Sequence, residues 1–296
     1  MPRPACAVHA SDVPGEKRPR RLPAEGISSE VRAVSDAAGL SRMGVGLRTV
    51  PPGFASTHRH FHSVEEEWVY VLSGSGQVRI GPHRTDVRPG SFVGFPPGPC
   101  PHHCLAGGDE PLVILEGGER RRDEDTCAYP DLGKAAFRRQ LSDAEAPAEE
   151  EGALTQCVRI DDLAVSHFQH EVDERARRDY RSLHTPTGLV RQAVRWSQVA
   201  SGDRTTAYHT HDRTDEWIYL LDGRARVRVG DDHFQVSAGD FVAHPAGGPP
   251  HVMEAETLLT YLMGGMRDPD DIVTYPEAGV QRRGGRIVPT AEGTGR

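Results

Sequence analysis

Two stretches of the chain carry the same polar residues at the same spacing. His60 and His62 flank one residue and Glu67 follows, and His209, His211 and Glu216 repeat the arrangement. Side chains two apart on a strand share a face, so each histidine pair projects to one side. A turn then brings the next strand alongside, headed by Glu67 or Glu216. Two imidazoles and a carboxylate aimed at one point suit a divalent first-row metal. A third imidazole follows a Gly, Pro, Gly series in each half. Gly90, Pro96 and Gly98 lead to His102, and Gly239, Pro245 and Gly247 lead to His251. His103 competes with His102, but Val252 follows His251, so the shared pattern favours His102. The candidate metal ligands are therefore His60, His62, Glu67 and His102 in one half, and His209, His211, Glu216 and His251 in the other.

These pairs share one offset of 149 residues, as do Trp68/Trp217, Tyr70/Tyr219, Val78/Val227 and Phe92/Phe241. A gapless repeat of this kind means two copies of one structural unit. It also separates ligands from bystanders. His58 forms a second His-x-His pair with His60, but Ala207 stands in its place in the other copy. His58 is then a mouth residue or a proton carrier behind the ligands. Tyr208 and His244 replace Arg59 and Phe95. With His58 they are the candidate catalytic residues, His244 as an acid/base group beside the metal. Cys100 and Cys104 could form a zinc knot, but Pro249 and Met253 replace them and a lone Cys-x-x-x-Cys is a weak signal. Trp68, Tyr70, Trp217 and Tyr219 alternate with the glutamates and so face away from the metal, to pack between sheets or between the two units. The extra histidines His58 and His103 tilt the expectation slightly toward the first unit as the catalytic one.

Both blocks, HFHSVEEEWVYVLSG with GSFVGFPPG and HTHDRTDEWIYLLDG with its own Gly-Pro-Gly-His series, resemble the motifs of the cupin superfamily. The resemblance covers roughly residues 40–118 and 188–265 and identifies the chain as a bicupin. Both halves share small departures: Ala106 and Ala255 stand where an asparagine often follows the last histidine. The resemblance implies an all-β protein of two tandem cupin-type jelly-roll β-barrels with short peripheral helices. Frequent Gly and Pro between short alternating runs agrees with that class. It also implies a mononuclear site in each barrel that leaves two octahedral positions open. The expected cofactor is a divalent transition metal, Fe(II) favoured, with Mn, Ni, Zn or Cu as alternatives. The expected function is a metal-dependent oxidoreductase of dioxygenase type acting on a small organic molecule. A non-redox isomerase, decarboxylase or lyase is the alternative, and a non-catalytic small-molecule-binding barrel the third reading. The partner is a small-molecule substrate, with a homodimer left open.

The chain has 296 residues, which allows two domains of ordinary size. A net charge of −8 argues against a general nucleic-acid binder. The five cysteines imply no disulfide framework. No apolar run approaches the ~20 residues needed to cross a bilayer, and residues 1–26 lack the apolar core of a secretory signal, so a cytoplasmic protein is expected. Residues 1–30 read as an arm, either loose or packed on a neighbouring domain. Residues 31–141 read as the first barrel with its tail, 142–152 as an acidic solvated linker, and 153–296 as the second barrel with a tail that packs and then frays. Short helices are expected from Ala135 to about Leu141 and between His170 and Arg181.

Overall fold

A computed structural model describes residues 3–17, 22, 25–137, 140–145 and 156–290. In the first jelly roll, one sheet runs in the order Cys157–Arg159, Ser91–Phe95, Glu67–Ser73, Leu112–Glu119, Met43–Val50, Glu30–Arg32. It faces a three-stranded sheet, His83–Val87, Gly76–Ile80, His102–Ala106. Alternate residues of each strand fill the space between, among them Val69, Val71, Val78, Ile80, Val93 and Ile114. The second jelly roll repeats the plan. Ala7–His9, Asp240–His244, Glu216–Asp222, Leu259–Met266, Gln192–Val199, Arg177–Ser182 and Ser166–Gln169 face Asp232–Ser237, Arg224–Val229 and His251–Ala255. Helix is confined to short segments such as Val34–Ala37. No helix among the described residues is long and apolar enough to cross a membrane.

The outward residues of the two large sheets make a third core between the units. Trp68 stacks on Trp217 at 5.2 Å, with Phe92 and Phe241 behind them. These tryptophans need a missing side chain opposite. A Cβ on Gly117 would lie 2.3 Å from the Trp68 ring, and one on Gly264 would lie 2.4 Å from Trp217. The near-symmetry breaks at one polar contact. Trp68 Nε1 donates to Gln192 Oε1 at 3.1 Å. Trp217 Nε1 is buried without a partner, because Met43 holds the place of Gln192 in the other copy.

The units also exchange strands. Ala7–His9 pairs with Asp240–Val242 of the second jelly roll. Cys157–Arg159 pairs with Ser91–Val93 of the first. Of the two fates expected for the arm, packing on another domain is the one observed, and Arg3 locks it there through two bonds to the buried Asp240, at 2.5 and 2.9 Å.

Neither expected helix appears among the described residues, and strands occupy part of each segment. Lys134–Phe137 and Gln140–Asp143 extend a hairpin from Thr126–Tyr129. Arg177–Ser182 pairs with Gln192–Val199 on one side and Ser166–Gln169 on the other. In each case ladder hydrogen bonds offered by a neighbour outweigh a weak local preference for helix. Residues 146–152 of the acidic stretch lie outside the described residues. The tail after each barrel does pack. Thr126–Tyr129 pairs with Phe61–His62, and Val273–Tyr275 pairs with Thr210–His211, so each tail lies across a barrel mouth.

Candidate metal centres

Each site is assembled from three neighbouring strands and the tail. Backbone bridges join His60 to His102 and His209 to His251, which sets these side chains beside one another. In the first centre, Glu67 Oε2 lies 3.3 Å from His60 Nε2 and 3.3 Å from His102 Nε2, and Glu67 Oε1 lies 3.5 Å from His62 Nε2. In the second, Glu216 Oε2 lies 3.3, 3.4 and 3.4 Å from the Nε2 atoms of His209, His211 and His251. The structure thus brings all eight sequence-predicted ligands into two clusters. Glu67 and Glu216 keep 33% and 23% of their side-chain surface exposed, so both clusters open at the mouth.

Tautomers follow from the outer contacts. His60 Nδ1 lies 2.9 Å from the His58 carbonyl, and His209 Nδ1 2.9 Å from the Ala207 carbonyl. A carbonyl only accepts, so Nδ1 carries the proton and Nε2 presents a lone pair inward. His211 Nδ1 meets Asp271 Oδ2 at 2.5 Å and His62 Nδ1 meets Asp125 Oδ2 at 2.6 Å. A carboxylate behind an imidazole in this way orients a ligand and raises its basicity. The consequence is sharpest where His209 Nε2 and His211 Nε2 approach to 3.1 Å. Two inward lone pairs at that distance beside a carboxylate repel unless a cation lies among them. Donors about 2.1 Å from a shared ion and at right angles to each other stand about 3.0 Å apart, close to the spacings found. The donor set fits a first-row divalent ion.

Without an ion, protons take up part of that charge. Burial opposes ionisation of Glu67 and Glu216, yet the imidazoles around them hold both well below the usual carboxylate range. Burial likewise opposes protonation of His211, but Glu216 and Asp271 push it up to about 10. His62 is raised well above its ordinary value, the pull of Glu67 and Asp125 overcoming burial. Burial lowers His102 and His251 to about 4.

The remaining candidates separate. His244 lies inside the second barrel, its ring stacked on His251 at 3.5 Å, as Phe95 stacks on His102 at 3.7 Å. Burial and the charge on His251 hold it well below the ordinary imidazole value. It supports a ligand from behind. Tyr208 is not brought to the cluster: its hydroxyl donates to the Gly230 carbonyl at 3.3 Å and its ring lies under Arg228. His58 touches the site through its carbonyl. His103 turns Nδ1 to the Thr57 carbonyl, 3.3 Å away, and so leaves the ligand position to His102.

Asp125 and Asp271 were not singled out from the sequence. The signal was present in the tails, where DEDTCAYPDLG and PDDIVTYPEAG align, but at an offset of 146. A second difference was also missed. Gly46 pairs with Glu116 in the first unit, and Arg195 with Met263 at the same place in the second. Val194 and Trp196 face the core between the units, so Arg195 faces the barrel interior. In the first barrel the interior cation Arg48 is neutralised by Glu116, through bonds of 2.5 and 2.8 Å. Among the described residues Arg195 has no ion pair; its guanidinium lies 5.5 Å from the Tyr180 ring. Burial and Arg178 lower its pKa, and Tyr180 and Glu216 oppose them.

Comparison with known proteins agrees with this architecture. The family model described as "Cupin domain" matches twice, at residues 46–117 and 195–262. The chain belongs to the cupin superfamily and, with two such domains, is a bicupin. Among solved structures, oxalate decarboxylase from Bacillus subtilis is 19% identical, with a TM-score of 0.58 over 88% of this chain and 75% of that one. The formate complex of oxalate decarboxylase from Lactobacillus farciminis is 16% identical, with a TM-score of 0.59 over 92% and 89%. At these identities the likeness is one of fold. The search of curated proteins finds no match.

Proposed function

We propose that the chain is a metal-dependent enzyme acting on a small organic acid in the second barrel. The observation that carries this is a four-donor cluster in a barrel whose inner face also bears Arg195, a cation with no ion pair among the described residues. His209, His211, Glu216 and His251 would hold the ion, which when bound supplies Lewis acidity or, if redox-active, electron transfer. Arg195 is half-buried, and the fork of N–H donors on its guanidinium matches a carboxylate. Arg195 binds and orients the substrate's acid group, while the mouth, narrowed by Tyr275 across His209, limits water. The first barrel, with Arg48 already neutralised, lacks this feature and is assigned a supporting role, against the expectation from its extra histidines.

Among reaction classes we favour a dioxygenase-type oxidoreductase using Fe(II). The supporting point is the scarcity of proton carriers in the second mouth. Tyr208 is turned away and His244 stands behind a ligand, so the chemistry falls to the metal more than to acid–base groups. The second reading is a non-redox lyase or decarboxylase using Mn, Zn or Ni. His244 favours it, being an imidazole where the first barrel has Phe95. The oxalate decarboxylases, which act on a small acid by name, share the two-barrel plan.

The test is elemental analysis of freshly purified protein, followed by turnover assays on a panel of small carboxylic acids with and without oxygen. Iron with oxygen uptake supports the first reading. Anaerobic turnover with another metal supports the second. Arg195→Met should raise KM for the acid roughly 10- to 150-fold, the equivalent of about 1.5–3 kcal/mol for a hydrogen bond to a charged group, with metal content unchanged. An unchanged KM refutes the role of Arg195.

A further inference from the structure

We infer that Cys127 is a metal ligand of the first barrel, so that its centre binds through sulfur while the second binds through nitrogen and oxygen alone. The inference rests on the reading that the first barrel holds a metal. Cys127 is not an isolated thiol. It lies on the tail strand Thr126–Tyr129 that crosses the mouth, directly opposite His62 in the ladder. A sulfur there, one nitrogen of His60 and one of His62 all lie within 4.8 Å of one another. Tyr129, two residues on and on the same face, stacks over His60 at 5.9 Å and 27°.

The second barrel supplies an internal control. Its tail strand takes the same path: His211 pairs with Val273, and Tyr275 stacks over His209 at 6.0 Å and 27°. Strand, tyrosine and histidine are kept, and the residue paired with the second histidine changes from valine to cysteine. A thiol beside two imidazoles that share a metal site can replace a water as the ion enters, giving its proton to solvent as the sulfur binds. Thiolate selects softer ions than carboxylate or water do. The two centres are then chemically distinct, and one protein can carry two different metals or hold one of them more tightly.

The test uses the full chain, stripped with a chelator and reloaded with cobalt(II). The expected result is two cobalt ions per chain and a near-ultraviolet sulfur-to-cobalt charge-transfer band. None of the other four cysteines joins a ligand cluster among the described residues, so the band reports Cys127. Cys127→Val, which copies the second barrel, should keep two cobalt ions and lose the band. Cys127→Ser does the same work if the valine variant does not fold. Glu216→Ala should lose one cobalt and keep the band. Two bound cobalt ions without the band in the native protein, or a band that persists in both Cys127 variants, overturns the inference while leaving the metal reading intact. Failure of the native protein to take up cobalt overturns both.

Discussion

Metal uptake by the second barrel should depend steeply on pH. His211 is held near pKa 10 by Glu216 and Asp271, and only its neutral form offers Nε2 a lone pair. Its folded-state pKa is raised, so the protonated ring persists through neutral pH and competes with the ion. Each pH unit below about 10 then costs about 1.36 kcal/mol of apparent binding. Between pH 8 and 6 the apparent affinity should fall about 100-fold, or roughly 2.7 kcal/mol. An ordinary imidazole with a pKa of about 6.5 would give only about a fourfold loss over that range. The assay is competition against a fluorescent chelator at constant ionic strength, in a Glu67→Ala background so that the second centre is read alone. Calorimetry in buffers of different ionisation enthalpy counts protons released, and about one per metal is expected near pH 7. Asp271→Asn should flatten the pH slope, because the carboxylate 2.5 Å from His211 Nδ1 is part of what holds the proton. A fourfold dependence in the parent, with little proton release, would show that His211 is not held charged by this pair.

Three further outcomes follow from the geometry. Glu67→Ala and Glu216→Ala should each remove about half of the bound metal, since each carboxylate faces three imidazoles of one centre; unchanged metal in both by elemental analysis would refute the ligand sets. His244→Phe should keep its metal, because Phe95 already stacks on His102 in that manner; a loss of turnover with metal retained would give His244 a role in proton transfer. Gln192→Met should destabilise the protein by about 1–3 kcal/mol, read from the denaturant midpoint, because it strips the buried Trp68 Nε1 and the Glu66 carbonyl of a partner.

The sequence by itself determined a great deal here. A repeat at constant offset marks the strands, and a polar set kept in both copies marks the two four-donor clusters, because metal ligation constrains residue type and spacing together. The face-away reading of Trp68 and Trp217 needed only the two-residue period of a strand. What the tertiary structure alone decided is who stands beside whom across long separations. Ala7–His9 adds to the second unit and Cys157–Arg159 to the first through backbone hydrogen bonds, which any side chain can accompany and which therefore leave little trace in residue type. The same reason explains the two segments expected as helices, whose strands are dictated by a neighbouring strand. Asp125, Asp271 and Cys127 reach the centres only once the tails fold back over the mouths. That Arg195 has no ion pair among the described residues shows only against Arg48 and Glu116 in space, since whether a cation has a counter-ion is a property of distance and not of sequence.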